Sequence, residues 1–550
     1  MAAIHTESAA VFGSKNVNVS EEKIIFVDYK PVNPITPHTV VEFVIPGHGG
    51  KYISLKDTRL HCEVEFRINS NGHKLYKPKK PITPLGYAGD ARIRELPTNS
   101  RIRKEATDGD LPDIPPHPTP PPEVVNLNNI DDDDERRKIT LQYEERVREW
   151  NNYVNSFIGG TYEYETTAFP IDAIFHTMWN GVDVFMNQQL VSTTNTMYAY
   201  KAYIETLLNN TASTKKYQLR NIGYTGPEGH FSPSQLMDSD ANPYEESEAQ
   251  ERRKQIFKTN ITYDLVGYLS SDMWNIQASI VNGVEIGLKL YPNKDAFRMM
   301  TFPQGVEATV VLKDITLKVC KKTMAPKIVL AHDQVLKKNL DATYPFTRTE
   351  VRSFNVGKGM RSATIENPYQ SNIPSRLIVG MVRADAKAGS FSKDPLKFRH
   401  FDISSAGFYI NDEPVPRRPF RLDPAQGRFI EPLVELYTTL GHTGGEDLGI
   451  SHEEYVNGAF LLPFDVQPTA AGNLQYLARR TGGHCRLELL FKEPLPCNIC
   501  VITYAIFPSI LEIDHSRNVR VVDLEKPFRV AAMKGSVNKN QSAITTAPAA

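Results

Sequence analysis

The chain has 550 residues and a mass of 61.9 kDa, more than one ordinary domain of roughly 100–250 residues accommodates. Hydrophobic residues make up 40% and charged residues 23%, a balance that supports buried cores and excludes a globally disordered chain. Lys plus Arg total 63 against 64 Asp plus Glu; the basic excess that replaces phosphate counterions in a dedicated nucleic-acid binder is missing, so no specific nucleic-acid binding is expected.

Residues 1–22 read as an N-terminal arm. They show no basic segment followed by an apolar one, so no secretion signal is read there. Strand patterns then begin. Val41, Phe43 and Ile45 alternate with polar neighbours, and from Leu60 to Ile68 the alternation is strict: Leu60, Cys62, Val64, Phe66 and Ile68 face one way, His61, Glu63, Glu65 and Arg67 the other. An insertion at 69–160 breaks the pattern. Its part from about Asn69 to Thr140 is rich in Pro and charge, with Asp131 to Asp134 a solvated acidic run, and reads as a long surface loop. Lys138 to Tyr153 is expected to be a charged helix.

Val182, Val184 and Met186 resume the strand pattern, followed by a helix from Asn195, its expected cap, to Leu208. Ile315, Leu317 and Val319 form another half-buried strand. The apolar runs Leu377 to Val382 and Ile499 to Phe507 read as strands buried on both faces. A helix is expected over Phe429 to Leu440, stopped at Gly441, and a half-buried strand at Leu487 and Leu489. Residues 516–550 read as a C-terminal tail. The two halves rhyme: strand, Asn-containing turn, helix, loop, glycine, strand occurs around Asn187, Gly283 and Ile286, and again around Asn411, Gly483 and Cys485. Duplication of one β domain explains this, although helix-bearing loops in unrelated β domains could look alike.

A catalytic constellation is not found, and the sequence is read as a non-enzyme with no catalytic residues, no cofactor and no metal. Pro46 to Lys51 has glycines and a lysine at the wrong spacing for a phosphate loop, and Val356 to Arg361 lacks the third glycine of a dinucleotide fingerprint; both read as turns. Cys497 and Cys500 have the spacing of half a zinc site, with His484 and Cys485 as imaginable partners. Cys500, however, heads an apolar strand where a thiol behaves as a small hydrophobe. The arginine pairs Arg252–Arg253, Arg417–Arg418 and Arg479–Arg480 default to solvated faces. Five cysteines are too few for a disulfide framework, and no apolar run reaches the ~18–20 residues of a membrane span.

The stretch Glu366 to Arg383, continued by Asp394 to Asp402 and Phe408 to Pro416, resembles the second jelly roll of the major capsid proteins of Maverick/Polinton elements and adintoviruses. A proline-tagged strand runs there into a Phe/His stretch and on to a strand ending in an Asn/Asp turn followed by prolines. Ile45 to Leu60, leading into the Cys62–Ile68 strand, and Asn180 to Gln189 are similar to the opening strands of the same family. The resemblance covers roughly residues 24–515. It implies an all-β chain of two tandem eight-stranded jelly rolls with helix-bearing loops, the first at 23–322 carrying the insertion and the second at 323–515. It further implies a homotrimer of pseudo-hexagonal outline that tiles an icosahedral shell with neighbouring capsomers and a minor capsid or penton protein. The place would be the virion capsid, made inside the host cell, with the assembly compartment, the nucleus included, left open. The alternatives are a β-sandwich carbohydrate-binding surface protein and a metal-dependent β-barrel enzyme.

Overall fold

A computed structural model describes residues 21–523 except 37, 48, 69–166, 228–247, 303–305, 371, 416–417, 441–447 and 467–481. The expected insertion loop, its Lys138–Tyr153 helix, most of both arms, Gly441, Arg417 and the Arg479–Arg480 pair lie outside the described residues.

In the first half, β1 (Glu21–Tyr29), β10 (Ala308–Met324), β3 (Tyr52–Ile68) and β7 (Thr262–Gly267) lie side by side in that order. A second sheet holds β2 (Val41–Ile45), β8 (Ile286–Pro292), β5 (Trp179–Met186) and β6 (Gln189–Thr193). The second half repeats this. One sheet runs β11 (Ala342–Val356), β19 (Ile499–Ile513), β13 (Arg376–Arg383), β17 (Leu461–Asp465); the other runs β12 (Ser362–Glu366), β18 (Cys485–Phe491), β14 (Ile403–Ile410), β15 (Glu413–Pro414). Two short strands, β4 (Thr167–Pro170) and β9 (Met299–Phe302), pair with each other, and β16 (Phe420–Arg421) adds to β14.

Numbering the eight sandwich strands of each half in chain order, the sheets read 1-8-3-6 and 2-7-4-5 both times. That order is a jelly roll, in which the last strand lies between the first, at the edge, and the third, and every neighbour is antiparallel. The fold is therefore all-β, two tandem eight-stranded jelly rolls, with helices confined to the connections.

Side-chain alternation explains the layers. In β3 the residues Leu60, Cys62, Val64 and Phe66 are buried between the sheets while His61, Glu63 and Glu65 are half-buried on the outside, as a period of two requires. In β13 and β19 nearly every residue is buried, because the outer face of that sheet is covered too. One long sheet edge is filled in pieces: β11 runs along the whole of one side of β19, while β13 and then β20 (Val519–Asp523) share the other. A strand thus lies within the segment expected to be tail. Val519 and Val521 pack on the core, a signal too short to read in the polar stretch around it.

Two turns carry the repeat at atomic detail. The β5–β6 hairpin turns through Asn187 and Gln188, at φ 47° and 67°, and the β14–β15 hairpin through Asn411 and Asp412, at φ 50° and 68°. Two-residue hairpins favour such left-handed pairs because their twist matches that of the strands, and Asn tolerates the conformation. In each roll the same Asn then clamps the strand entering next door. Asn187 donates its N–H to the Glu285 carbonyl (2.9 Å) and accepts the Glu285 N–H on its side chain (2.8 Å); Asn411 does the same with His484 (2.8 and 2.9 Å).

The helix expected from Asn195 is found at Tyr198–Leu208, capped by no side chain. Asn195 and Thr196 both sit at positive φ, which turns Asn195 away from the helix start. The helix expected at Phe429 is found at Ile430–Leu440.

Candidate functional site

The Tyr198–Leu208 helix has no solvent face. All its residues but Glu205 are buried, and Glu205 is half-buried. It lies where the two rolls meet, and its side chains bind both. Tyr200 donates to the Pro395 carbonyl (3.1 Å), and the rings of Tyr200 and Tyr203 pack on Phe398 with centroids 6.4 Å away in each case. Beside them Arg253 reaches Asp394 (3.0 Å) with only 1% of its side chain exposed. Default solvation is thus corrected for Arg253, which is an internal cation, while Arg252 is exposed. At the other end of the seam Tyr344 of β11 accepts the Val281 N–H (3.1 Å), and Asn187 donates to the Arg517 carbonyl (2.6 Å).

At the middle of the seam sits a buried charge cluster. Lys201 Nζ lies 2.7 Å from Glu205 Oε1, 2.7 Å from the Ser270 carbonyl and 3.2 Å from Asp272 Oδ1. The second roll completes it: the Tyr504 hydroxyl donates to Glu205 Oε1 (3.1 Å), and the Thr349 N–H donates to Asp272 Oδ2 (3.2 Å). Burial pushes the Glu205 acid up, against the pull of Lys201. Burial also draws the Lys201 ammonium down, but the two carboxylates outweigh it and its net shift is upward. A neighbouring pair is neutral: burial and then Lys201 lower His176 to about 3, and its Nδ1 meets the Tyr198 hydroxyl at 3.0 Å. Asp172, deep in the first roll, is pushed up to about 6 by burial despite Arg253 and the Thr225 N–H.

This cluster was not anticipated from the sequence. Lys201 and Glu205 lie four residues apart on one helix, and Asp272, Thr349 and Tyr504 reach them only through the tertiary fold.

The thiols and turns weighed as chemistry are placed in the frame of the second roll and the first loop. Cys485 opens β18 and Cys500 lies in β19, so they belong to the two opposed sheets of one sandwich; both are buried, and burial raises both thiols, Cys485 to about 11. Cys497 is half-buried in the loop before β19, and His484, half exposed, lies 3.4 Å from Glu366. Among the described residues no group of three or more His, Cys, Asp or Glu is arranged to hold a metal ion. Gly47 packs against the Val284 backbone, where a Cβ would sit 2.6 Å from the carbonyl carbon, and Gly359 takes φ 83° in a turn.

Outside, the edge strand β1 leaves Ile24 and Phe26 more than half exposed, and Arg59 lies over the rings of Phe26 (5.8 Å) and Tyr268 (5.4 Å). The helix Pro326–Lys337 that joins the rolls leaves Leu330 and Val335 exposed. Among the described residues no helix is long and apolar enough to cross a membrane.

No protein-family model matches the chain. An uncharacterized protein of Caenorhabditis elegans is 26% identical over 360 residues, spanning 64% of this chain and 80% of that protein. Among solved structures, a chain of the Sputnik virophage, determined by cryo-EM, matches with a TM-score of 0.50 at 8% identity, covering 98% of this chain and 96% of that one. The mavirus major capsid protein matches with a TM-score of 0.46 at 10% identity, over 96% and 95% of the two chains. At such identities the likeness is one of fold, the double jelly roll.

Proposed function

We propose that this chain is a structural shell subunit, a double jelly-roll major capsid protein of the Maverick/Polinton and adintovirus type, and not an enzyme. The observation that carries the reading is the 1-8-3-6 and 2-7-4-5 strand order occurring twice in one chain, the two copies locked by a buried seam. A rigid pair of similar sandwiches presents two similar outer walls. Three such chains around a threefold axis present six, which is how a trimer acquires a pseudo-hexagonal outline and tiles a closed shell. The fold likeness to a virophage chain and the motifs from Glu366 to Pro416 support the same reading.

On this reading residues 23–322 and 323–515 are the two wall-forming units, the second extended by β20; the rest of the arms at 1–22 and 516–550, outside β1 and β20, and the insertion at 69–160 serve contacts between chains. The partners are further copies of the chain and a vertex protein, and the place of action is the virion capsid. An obligate interface of this kind buries upwards of ~2,000 Å².

Solution mass with negative-stain imaging of the purified full chain tests the proposal. A mass near three times 61.9 kDa with pseudo-hexagonal particles is the expected result. A chain that stays monomeric at micromolar concentration and is retained on a glycan resin would refute it in favour of a carbohydrate-binding sandwich.

A further inference from the structure

We propose that Lys201 and Asp272 become joined by an intramolecular amide bond, with Glu205 as the catalytic acid–base. The proposal stands on the seam cluster alone and does not depend on the shell reading.

Three features of the site point there. The first is confinement: the side chains of Lys201, Glu205 and Asp272 are 1%, 11% and 3% exposed. One ammonium facing two carboxylates leaves a surplus negative charge in an apolar site. Burial pushes the Glu205 acid up against the pull of Lys201, so Glu205 is the carboxyl placed to carry a proton in transit.

The second is the geometry at Asp272. Its two oxygens are differentiated: Oδ2 receives the Thr349 N–H at 3.2 Å, whereas Oδ1 is buried with no hydrogen bond although Lys201 Nζ stands 3.2 Å away. The Lys201 nitrogen therefore stands on the Oδ1 side of this carboxyl, the side from which the leaving oxygen would depart. The Thr349 N–H is placed to stabilise the negative charge that develops on Oδ2, as a backbone donor does in an oxyanion hole.

The third is the position of Glu205. Its Oε1 touches Lys201 Nζ at 2.7 Å and is fixed by the Tyr504 hydroxyl at 3.1 Å. The balance is simple. Glu205 takes one proton from the Lys201 ammonium, and the amine so formed attacks Asp272 Cγ, forming the C–N bond. Glu205 passes that proton and then a second one from nitrogen to Oδ1, the C–Oδ1 bond breaks, and one water leaves. Oδ2 remains as the amide oxygen on Thr349. No oxidant or external reactant is required. Thr349 and Tyr504 both belong to the second roll, so bond formation follows docking of the rolls and marks a chain whose two halves have closed.

Intact mass spectrometry of the full chain, followed by tryptic mapping, decides the matter. The expected result is a mass lower than the sequence mass by one water, with a branched peptide joining the segments that hold Lys201 and Asp272. The variant Glu205→Gln is expected to restore the full mass and two separate linear peptides, in a protein whose circular dichroism matches the wild type. A wild-type chain of full mass with both peptides linear overturns the proposal, and so does a water loss mapped to a linear, internally cyclised Asp272 peptide. Retention of the branched peptide in Glu205→Gln would overturn the role of Glu205.

Discussion

Replacing Phe398 by alanine should loosen both rolls although the residue belongs to only one. Phe398 is fully buried, held by Tyr200 and Tyr203 of the first roll on one side and by Gly380 and Leu461 of the second on the other. Burying an aromatic side chain of ~150–250 Å² at ~25 cal/mol/Å² stabilises by about 4–6 kcal/mol. Retention of the alanine methyl and partial collapse of the cavity bring the loss to about 3–5 kcal/mol. With a urea dependence of a few kcal/mol per molar, the unfolding midpoint falls by about 1 M. The assay follows from the sequence: Trp150, Trp179 and Trp274 all precede the second roll, so tryptophan fluorescence reports the first roll while far-UV circular dichroism reports both. The expected outcome is that both signals shift together. If the circular dichroism acquires an early phase while the tryptophan midpoint stays at its wild-type value, the seam does not couple the rolls and the reasoning fails.

Gly380→Ala should destabilise by about 1–3 kcal/mol in thermal unfolding, since the added Cβ would stand 2.6 Å from the Phe398 ring; an unchanged melting temperature would show that the ring can move. Asn187→Ala and Asn411→Ala should each cost about 1–3 kcal/mol, from one strained left-handed residue and the lost side-chain hydrogen bonds, two at Asn187 and one at Asn411, and the glycine replacements should cost less than alanine at both sites; alanine costing no more than glycine at either site would sink this account. Asp172→Asn should gain stability over the wild type that grows between pH ~4 and ~6 and levels off above. The folded acid titrates near 6 against 3.8 when exposed, so the folded carboxyl holds its proton over that window and loses stability as pH rises through it, by about 1–3 kcal/mol at ~1.4 kcal/mol per unit. His176, lowered to about 3, has the opposite slope, stability falling as pH drops below 6.5; urea midpoints must therefore be compared as variant minus wild type, and a flat difference would contradict the assignment.

The sandwich strands with one wet face were legible because burial on one side writes itself as alternation. Val41 to Ile45, Leu60 to Ile68 and Val182 to Met186 are each found as strands with the inward residues expected. Short edge pieces such as β15, β16 and β20 were not, since two to five residues carry too little pattern against polar surroundings. The seam was illegible for a different reason. A lysine four residues before a glutamate reads as solvent-facing, and only the packing of Tyr504, Thr349 and Asp272 around them, set by pairings between distant strands, takes that face out of water. Asn187 and Asn411 sit between: the rhyme was visible, while their clamp on Glu285 and His484 required the neighbouring strand to be in place.

The strand order also governs when the molecule can come into being. Glu21 pairs with Met324, and Ala342 with Ile513. Roughly 300 residues separate the first pair and about 170 the second, and a ribosome adds about 5–20 residues per second. β1 therefore waits about 15–60 s for its partner, with Ile24 and Phe26 on an open edge throughout, and the second roll closes only after nearly the whole chain has been made. Synthesis rate and attendant chaperones thus bear on the yield of closed chains, and slowing translation should expose this vulnerability at β1 before anywhere else.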